Sequence, residues 1–221
     1  MGWFSKTLNS SIGLKLMMAL SGLAMVGFLI GHLSGNLLVF AGPDALNSYA
    51  EGLRNFPALL NAARIGLVFM VFLHIFTAIK LTAKNKAANP VKYHSSHANS
   101  ASAASRSMAG TGFIILFFII YHLAHYTWRL THTEFQQLGP FDAYTMLVES
   151  FKSLPLALLY VISVSLIGLH LSHGISSACQ TLGINHKKYT PFIKKGGAAL
   201  SIALVLGFAS IPVSILLGIV K

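Results

Sequence analysis

Five stretches of this chain are long and apolar enough to cross a lipid bilayer, and none contains an Asp or a Glu: residues 13–41, 62–81, 108–130, 154–177 and 197–220. A helix needs about 20 mostly apolar residues to span the hydrocarbon core. Strands of a membrane barrel would alternate apolar and polar residues over about 10 positions, and these runs do not alternate. The expected fold is therefore an all-α membrane protein, a five transmembrane helix bundle forming one membrane domain over residues 1–221. Composition agrees, with 54% hydrophobic and only 10% charged residues, against about 25% charged in soluble domains. An ordinary soluble enzyme, a disordered chain and a collagen-like chain are all excluded.

The net charge of +11 could suggest nucleic acid, but the basic residues flank the apolar runs, so the lipid bilayer is the partner and nucleic acid is not. Lys15, Arg64, Lys80 and Arg129 stand near span ends, where long side chains snorkel. A single cysteine, Cys179, excludes a disulfide framework, a cysteine-ligated iron–sulfur cluster and a thiolate zinc site, and reads as a small packing residue. The first span is too long for a cleaved signal peptide and lacks a small-residue cleavage site. Met1-Gly2 fails as a myristoylation signal because Lys6 occupies the Ser/Thr position.

Charge sets the expected orientation. With the N-terminus cytoplasmic, Lys6, Lys15, Lys80, Lys84, Lys86, Lys92, Arg106, Lys187, Lys188, Lys194 and Lys195 lie inside. Arg54, Arg64, Arg129, Lys152 and Lys221 lie outside, together with all five acids, Asp44, Glu51, Glu134, Asp142 and Glu149. Such a bias predicts N-terminus in and C-terminus out. Residues 87–107, rich in Ala, Ser and Asn, read as an irregular inner connection. Residues 43–53, with Leu46, Tyr49, Ala50 and Leu53 at helical spacing, and 141–151, with Phe141, Tyr144, Leu147, Val148 and Phe151, read as short helices on the outer surface. Together they are expected to form a lid.

Six of the ten histidines fall inside the spans: His32, His74, His122, His125, His170 and His173. Ionisable residues at this depth are costly and mark function by default. One buried histidine is an ordinary packing residue, but histidines on four helices with no acid to pair with are not. At about 1.5 Å per residue, His32 and His122 lie roughly 26 and 21 Å from the inner ends of their helices. His74 and His170 lie roughly 18 and 24 Å from the outer ends of theirs. Two layers of histidine suit two haems, each held between facing helices. Transition-metal transporters mix histidine with carboxylate, and hard cations want oxygen. Covalent haem needs Cys-x-x-Cys-His, which is absent. Non-covalent haem b remains. Gly27, Gly31 and Gly35 form a small-xxx-small ladder that admits either a flat group or a neighbouring helix. Depth does not choose between His122 and His125, or between His170 and His173, one turn apart. His94 and His97 read as solvated loop residues, and His132 and His186 as interfacial ones.

Several blocks resemble a known family. Gly31-His32-Leu33-Ser34-Gly35-Asn36-Leu37 and Gly42-Pro43-Asp44-Ala45-Leu46-Asn47-Ser48-Tyr49-Ala50 open the likeness, which continues through Leu73-His74-Ile75 and Tyr121-His122-Leu123-Ala124-His125. Gly168-Leu169-His170-Leu171-Ser172-His173-Gly174, Gln180-Thr181-Leu182-Gly183 and Gly207-Phe208-Ala209-Ser210-Ile211-Pro212 complete it. Together they resemble the cytochrome b membrane-anchor subunit of bacterial succinate dehydrogenases and fumarate reductases, of the single-chain, five-helix, di-haem type.

The resemblance implies two haems b, with His32 and His122 holding a distal one near the outer face and His74 and His170 a proximal one near the cytoplasm. His125 and His173 would then stand beside the haems, at their propionates or at a quinone site. It implies a flavoprotein and an iron–sulfur protein docked on the cytoplasmic side, because the chain itself carries no dinucleotide fingerprint, flavin unit or cysteine cluster. Electrons would pass through the haems to a membrane quinone, menaquinone by family analogy, in a bacterial cytoplasmic membrane. Asn36, Asp44, Tyr49, Glu51 and Tyr126, with His125, supply polar groups for a quinone site at the outer end. Asp44 also reads as a helix cap and Glu51 as a solvated charge. Some fumarate reductase relatives carry a glutamate two residues before the helix IV ligand, where this chain has Gly168. Two other functions stay open: the cytochrome b subunit of another quinol oxidoreductase, and a histidine-lined metal or haem transporter, which would bind metal reversibly without a fixed b-type spectrum.

Overall fold

The computed structural model describes residues 2–88, 103–139 and 142–221, and among them the regular elements are all helices. A short α1 (Trp3–Leu8) leads into Ser10, whose Oγ accepts from the Gly13 N–H at 3.0 Å and caps α2 (Ser11–Asn36). The chain tightens into a 3₁₀ turn over Leu37–Ala41, reverses at Gly42 (φ 97°) and enters α3 (Pro43–Arg54). Gly42 is needed there because few L-residues tolerate positive φ, while Pro43 is pre-set for a first helical turn. Then come α4 (Pro57–Ala88), α5 (Ala103–His122), α6 (Ala143–Phe151), α7 (Leu154–Thr181) and α8 (Thr190–Leu216).

The five long helices α2, α4, α5, α7 and α8 match the five apolar runs, with different ends. α4 starts earlier than the run at 62–81 because Pro57 sets its first turn. It runs on to Ala88 because Lys84 and Lys86 favour helix even where the sequence turns polar. α5 gives way to a π turn over Leu123–Thr127 and ends before residue 130, where Arg129 takes φ 53° and three backbone carbonyls, of Phe135, Leu138 and Gly139, accept from its guanidinium. α8 begins at Thr190 and stops at Leu216. The connection expected to be irregular over 87–107 is helical at both ends; Lys92, His94 and His97 lie outside the described residues, as does Phe141. The short α1 and a 3₁₀ turn at Thr133–Gln136 had no counterpart in the sequence reading.

Because the long helices alternate in direction, one end of the bundle collects Lys6, Lys80, Lys84, Lys86, Lys187, Lys188, Lys194 and Lys195. Lys80 Nζ donates to Asn9 Oδ1 at 3.0 Å and Lys84 Nζ to the Asn9 carbonyl, tying α4 to the α1–α2 junction there. The opposite, acidic end carries α3 and α6. These two helices pack on each other over a core of Val39, Leu46, Phe151, Tyr160, Ile211 and Ile215. Asp142 caps α6 by accepting from the Thr145 N–H at 3.0 Å, and Asn47 of α3 bridges to it at 3.3 Å while accepting from the Tyr144 N–H at 3.0 Å.

At the other end of α7, Gly183 (φ 83°) ends the helix, with the Ile184 N–H reaching back to the Cys179 carbonyl at 2.9 Å. Gly168 of α7 lies against Val205 of α8, so any side chain at this position would collide with that neighbour. A glutamate there would have to displace the Val205 side chain.

Candidate functional site

The helix contacts are uneven. α7 packs against α8, α5 and α2, and α2 packs along α4, but α2 with α5 and α4 with α7 share no extensive backbone contact among the described residues. Across those two open seams the histidines face each other. The His32 ring (α2) stands 5.9 Å from that of His122 (α5), and the His74 ring (α4) 6.3 Å from that of His170 (α7), centroid to centroid. The first pair lies toward the acidic end and the second toward the basic end, as depth along the helices requires.

The basic-end pair has a defined protonation pattern. The Met18 carbonyl lies 3.0 Å from His74 Nδ1 and can only accept, so Nδ1 carries the proton. Ser21 Oγ, 3.3 Å away, already donates to the Met17 carbonyl at 2.7 Å and offers a second acceptor. His170 Nδ1 lies 3.1 Å from Thr111 Oγ1, whose own proton goes to the Ser107 carbonyl at 3.0 Å or that of Met108 at 3.2 Å, so again the ring nitrogen donates. Both rings therefore keep a bare lone pair on Nε2. Glycines make room for them: a Cβ on Gly22 would come within 3.2 Å of His74 Cε1, and one on Gly112 within 3.4 Å of His170 Cε1.

The acidic-end pair is set differently. The Asn36 amide donates to the His32 carbonyl at 2.7 Å and lies 3.3 and 3.4 Å from the two ring nitrogens, while Phe28 stacks on the ring at 5.2 Å. His122 Nδ1 is buried with no hydrogen-bond partner among the described residues, and Phe118, Tyr126 and Tyr160 surround its ring.

His125, fully buried one turn on in the π segment, has both nitrogens engaged. Ser150 Oγ donates to the Met146 carbonyl at 2.6 Å, so it accepts from His125 Nε2–H at 3.1 Å; the Tyr160 hydroxyl then donates to Nδ1 at 2.9 Å. This histidine has no lone pair to offer. His173 is half-buried one turn from His170, and it is His170 that meets His74. His132 stacks on His125 at 4.7 Å, and the Lys188 N–H donates to His186 Nδ1 at 3.2 Å.

The polar residues named for a quinone divide into groups. Asn36 sits at His32, and the Tyr49 ring lies against Gly35, close enough that a Cβ there would meet it. Tyr126 stacks on His125 at 4.2 Å beside His122. Asp44 and Glu51 are exposed on α3; Asp44 occupies the first turn but is not the cap, a position held by Gly42. Beside Tyr49 an open apolar groove of about 550 Å³ runs between α3 and α4, lined by Leu53, Phe56, Leu59 and Leu60. Of the glycine ladder only Gly35 receives a protein group; a Cβ on Gly27 or Gly31 would enter open space.

A flat metallocycle fits both pairs in spacing and the basic-end pair in its hydrogen bonds as well. Two imidazoles on opposite sides of one metal have centroids about 6 Å apart, from metal–nitrogen bonds of about 2 Å and about 1 Å more to each ring centre. Both spacings agree. Metal-bound histidines donate their other N–H to a carbonyl or a similar acceptor, as His74 and His170 do.

Sequence reading missed Thr111, Ser21, Ser150 and Tyr160. A depth count would have flagged Thr111 and Ser21, polar residues on α5 and α2 at the level of the basic-end histidines. The family model for the succinate dehydrogenase/fumarate reductase transmembrane subunit matches residues 82–210, more than half the chain and including His122 and His170. No curated protein and no solved structure gives a match.

Proposed function

Because the chain belongs to the succinate dehydrogenase/fumarate reductase transmembrane subunit family, we propose that it is the di-haem b anchor of such a complex, carrying electrons between an iron–sulfur subunit and membrane quinone. The observation that carries this reading is the pair of facing histidines between α2 and α5 and between α4 and α7, helices that share no extensive backbone contact among the described residues. Haem, when bound, supplies one-electron chemistry. The chain supplies the rest. His74 and His170, each with Nδ1 held by a neighbouring group, keep Nε2 free to bind the metal, and His32 and His122 meet at the second level. His125, with both nitrogens hydrogen-bonded, supports His122 rather than replacing it.

The basic end, with Lys80, Lys84, Lys86, Lys187, Lys188, Lys194 and Lys195, faces the cytoplasm of a bacterial cell and receives the iron–sulfur and flavoprotein subunits. The acidic end faces outward. There Asn36, Tyr49, Tyr126 and His125 gather around the second histidine pair, and this is where a quinone, menaquinone in this reading, exchanges electrons and protons. Asp44 and Glu51, exposed on α3, stay at its rim. With Gly168 packed against Val205, the chain supplies no carboxylate at that position for a membrane-spanning proton route.

The test is a reduced-minus-oxidised spectrum with a pyridine haemochrome titre on the complex purified with its partner subunits. Two haems b per chain are expected, one lost in His32→Ala and in His122→Ala, the other in His74→Ala and in His170→Ala. A folded, assembled complex without haem overturns the reading and brings a histidine-lined transporter forward.

A further inference from the structure

We propose that Thr111 is a positioning residue for the basic-end site: by accepting the His170 Nδ1 proton it fixes that ring's tautomer and raises its electron-donating strength, and so lowers the redox potential there. The inference rests on the haem reading and deepens it. Thr111 is only 5% exposed and lies on α5, whereas the ring it holds belongs to α7. Its hydroxyl has carbonyl acceptors of its own one turn back, those of Ser107 and Met108, and with the proton placed there the oxygen keeps a lone pair that accepts from His170 Nδ1. This favours the observed ring orientation, since the flipped ring would lose this bond. Gly112, next along α5, lets the ring lie close to the helix backbone.

On the far side of the seam the corresponding acceptor is a backbone carbonyl, that of Met18, with Ser21 Oγ as an auxiliary at 3.3 Å. Thr111 is therefore the one principal partner of this pair that a side-chain substitution removes. The acidic-end pair offers a control within the same chain, because His122 Nδ1 has no such acceptor among the described residues. An imidazole whose second N–H is hydrogen-bonded donates more strongly through its other nitrogen, which favours the oxidised, more positively charged metal. Loss of the acceptor therefore moves the potential upward.

The experiment is a potentiometric titration of the b-type absorbance in the purified complex, with haem transfer to apomyoglobin as a second readout. In Thr111→Val, which keeps the shape and deletes the acceptor, one of two waves shifts positive and the other stays. Haem leaves that site roughly 10-fold faster, the scale of effect seen when such partners are removed. Thr111→Ser restores both properties. Ser21→Ala shifts the same wave in the same sense but less, because the Met18 carbonyl remains. If Thr111→Val does not assemble, Thr111→Ala and Ser21→Ala carry the same test. Two unmoved waves, a shift in the other wave alone, an equal shift in both, or no restoration by Ser overturns the proposal. A wild-type complex without haem overturns the earlier reading instead, before any variant is made.

Discussion

The two histidine pairs are built from the same parts and finished in opposite ways. At the basic end each ring has one nitrogen held by an acceptor and lies against a glycine of the neighbouring helix, Gly22 or Gly112. At the acidic end His122 has an orphaned nitrogen inside an aromatic cage, and the polar bonds go instead to His125, Tyr160 and Ser150 one turn further out. The first arrangement fixes the rings themselves. The second fixes the helix that carries His122, by anchoring the π turn that follows α5 to α6 and α7. One end is thus organised around its two imidazoles, the other around the protein wall beside them, which is where a polar substrate would enter.

The sharpest way to break this comparison is to remove His122 of α5 and His125 of the π turn one at a time. If the chain holds two haems as proposed, His122→Ala is expected to abolish one of them while the basic-end spectrum stays intact. His125→Ala is expected to keep both haems and to lose stability, about 1–3 kcal/mol for each buried partner left unsatisfied. Haem counts and thermal denaturation of the two variants separate these outcomes. If His125→Ala loses the haem and His122→Ala keeps it, the roles are reversed and the contrast between the two ends fails.

Next in size are the glycines. Gly22→Leu drives a side chain into the space of His74, because even a Cβ there approaches within 3.2 Å. It is expected to remove the basic-end haem alone. Gly31→Leu, pointing into open space beside His32, is expected to remove the acidic-end haem alone. Should Gly31→Leu keep both haems, Gly31 faces lipid and the ladder plays no part in the site. Haem stoichiometry with the visible spectrum of each variant decides this.

How much of this was legible beforehand follows from what one-dimensional patterns encode. Long acid-free apolar runs and histidine depth are properties of single helices, so the five spans and the two histidine levels could be read directly. The surface helices were legible too, because Leu46, Tyr49 and Leu53 keep helical spacing on α3. The helix ends were not, since Lys84 and Lys86 look like loop residues to hydropathy yet favour helix. The choice between His122 and His125 was illegible for a different reason. It depends on a π turn and on partners 25 and 35 residues away, Ser150 and Tyr160, and no local pattern announces either. Thr111 was invisible because a threonine that bonds back to its own helix is an ordinary sight, and only the ring from α7 gives it a second task.

A smaller effect sharpens the role of the wall. Tyr160→Phe removes the hydroxyl that donates to His125 Nδ1 while keeping the ring among Phe118, Tyr121 and Phe151. The expected loss is about 1 kcal/mol, up to about 3 if the stranded nitrogen finds no water. A shift confined to the acidic-end haem spectrum should accompany it. A change in the basic-end spectrum would mean that the two ends are not independent.

The smallest expected effect lies outside the membrane spans, at the joint between α3 and α6. Burial pushes the Asp142 carboxyl up, but hydrogen bonds from the Thr145 N–H and hydroxyl and from the Asn47 amide, with the Arg129 charge nearby, together outweigh it. The carboxyl is held below its ordinary value. A lowered value in the folded state means that the unfolded chain binds the proton more readily. The stabilisation is therefore complete above the ordinary carboxylate pKa near 4, and is lost as pH falls through the lowered value. Asp142→Asn keeps a good capping residue but deletes the charge. Its deficit in Tm against the wild type should be small and constant from pH 7 down to about 5, and should shrink to nothing in stronger acid. A deficit that persists unchanged below the lowered pKa would mean that the joint depends on the shape of the Asp142 side chain and not on its charge.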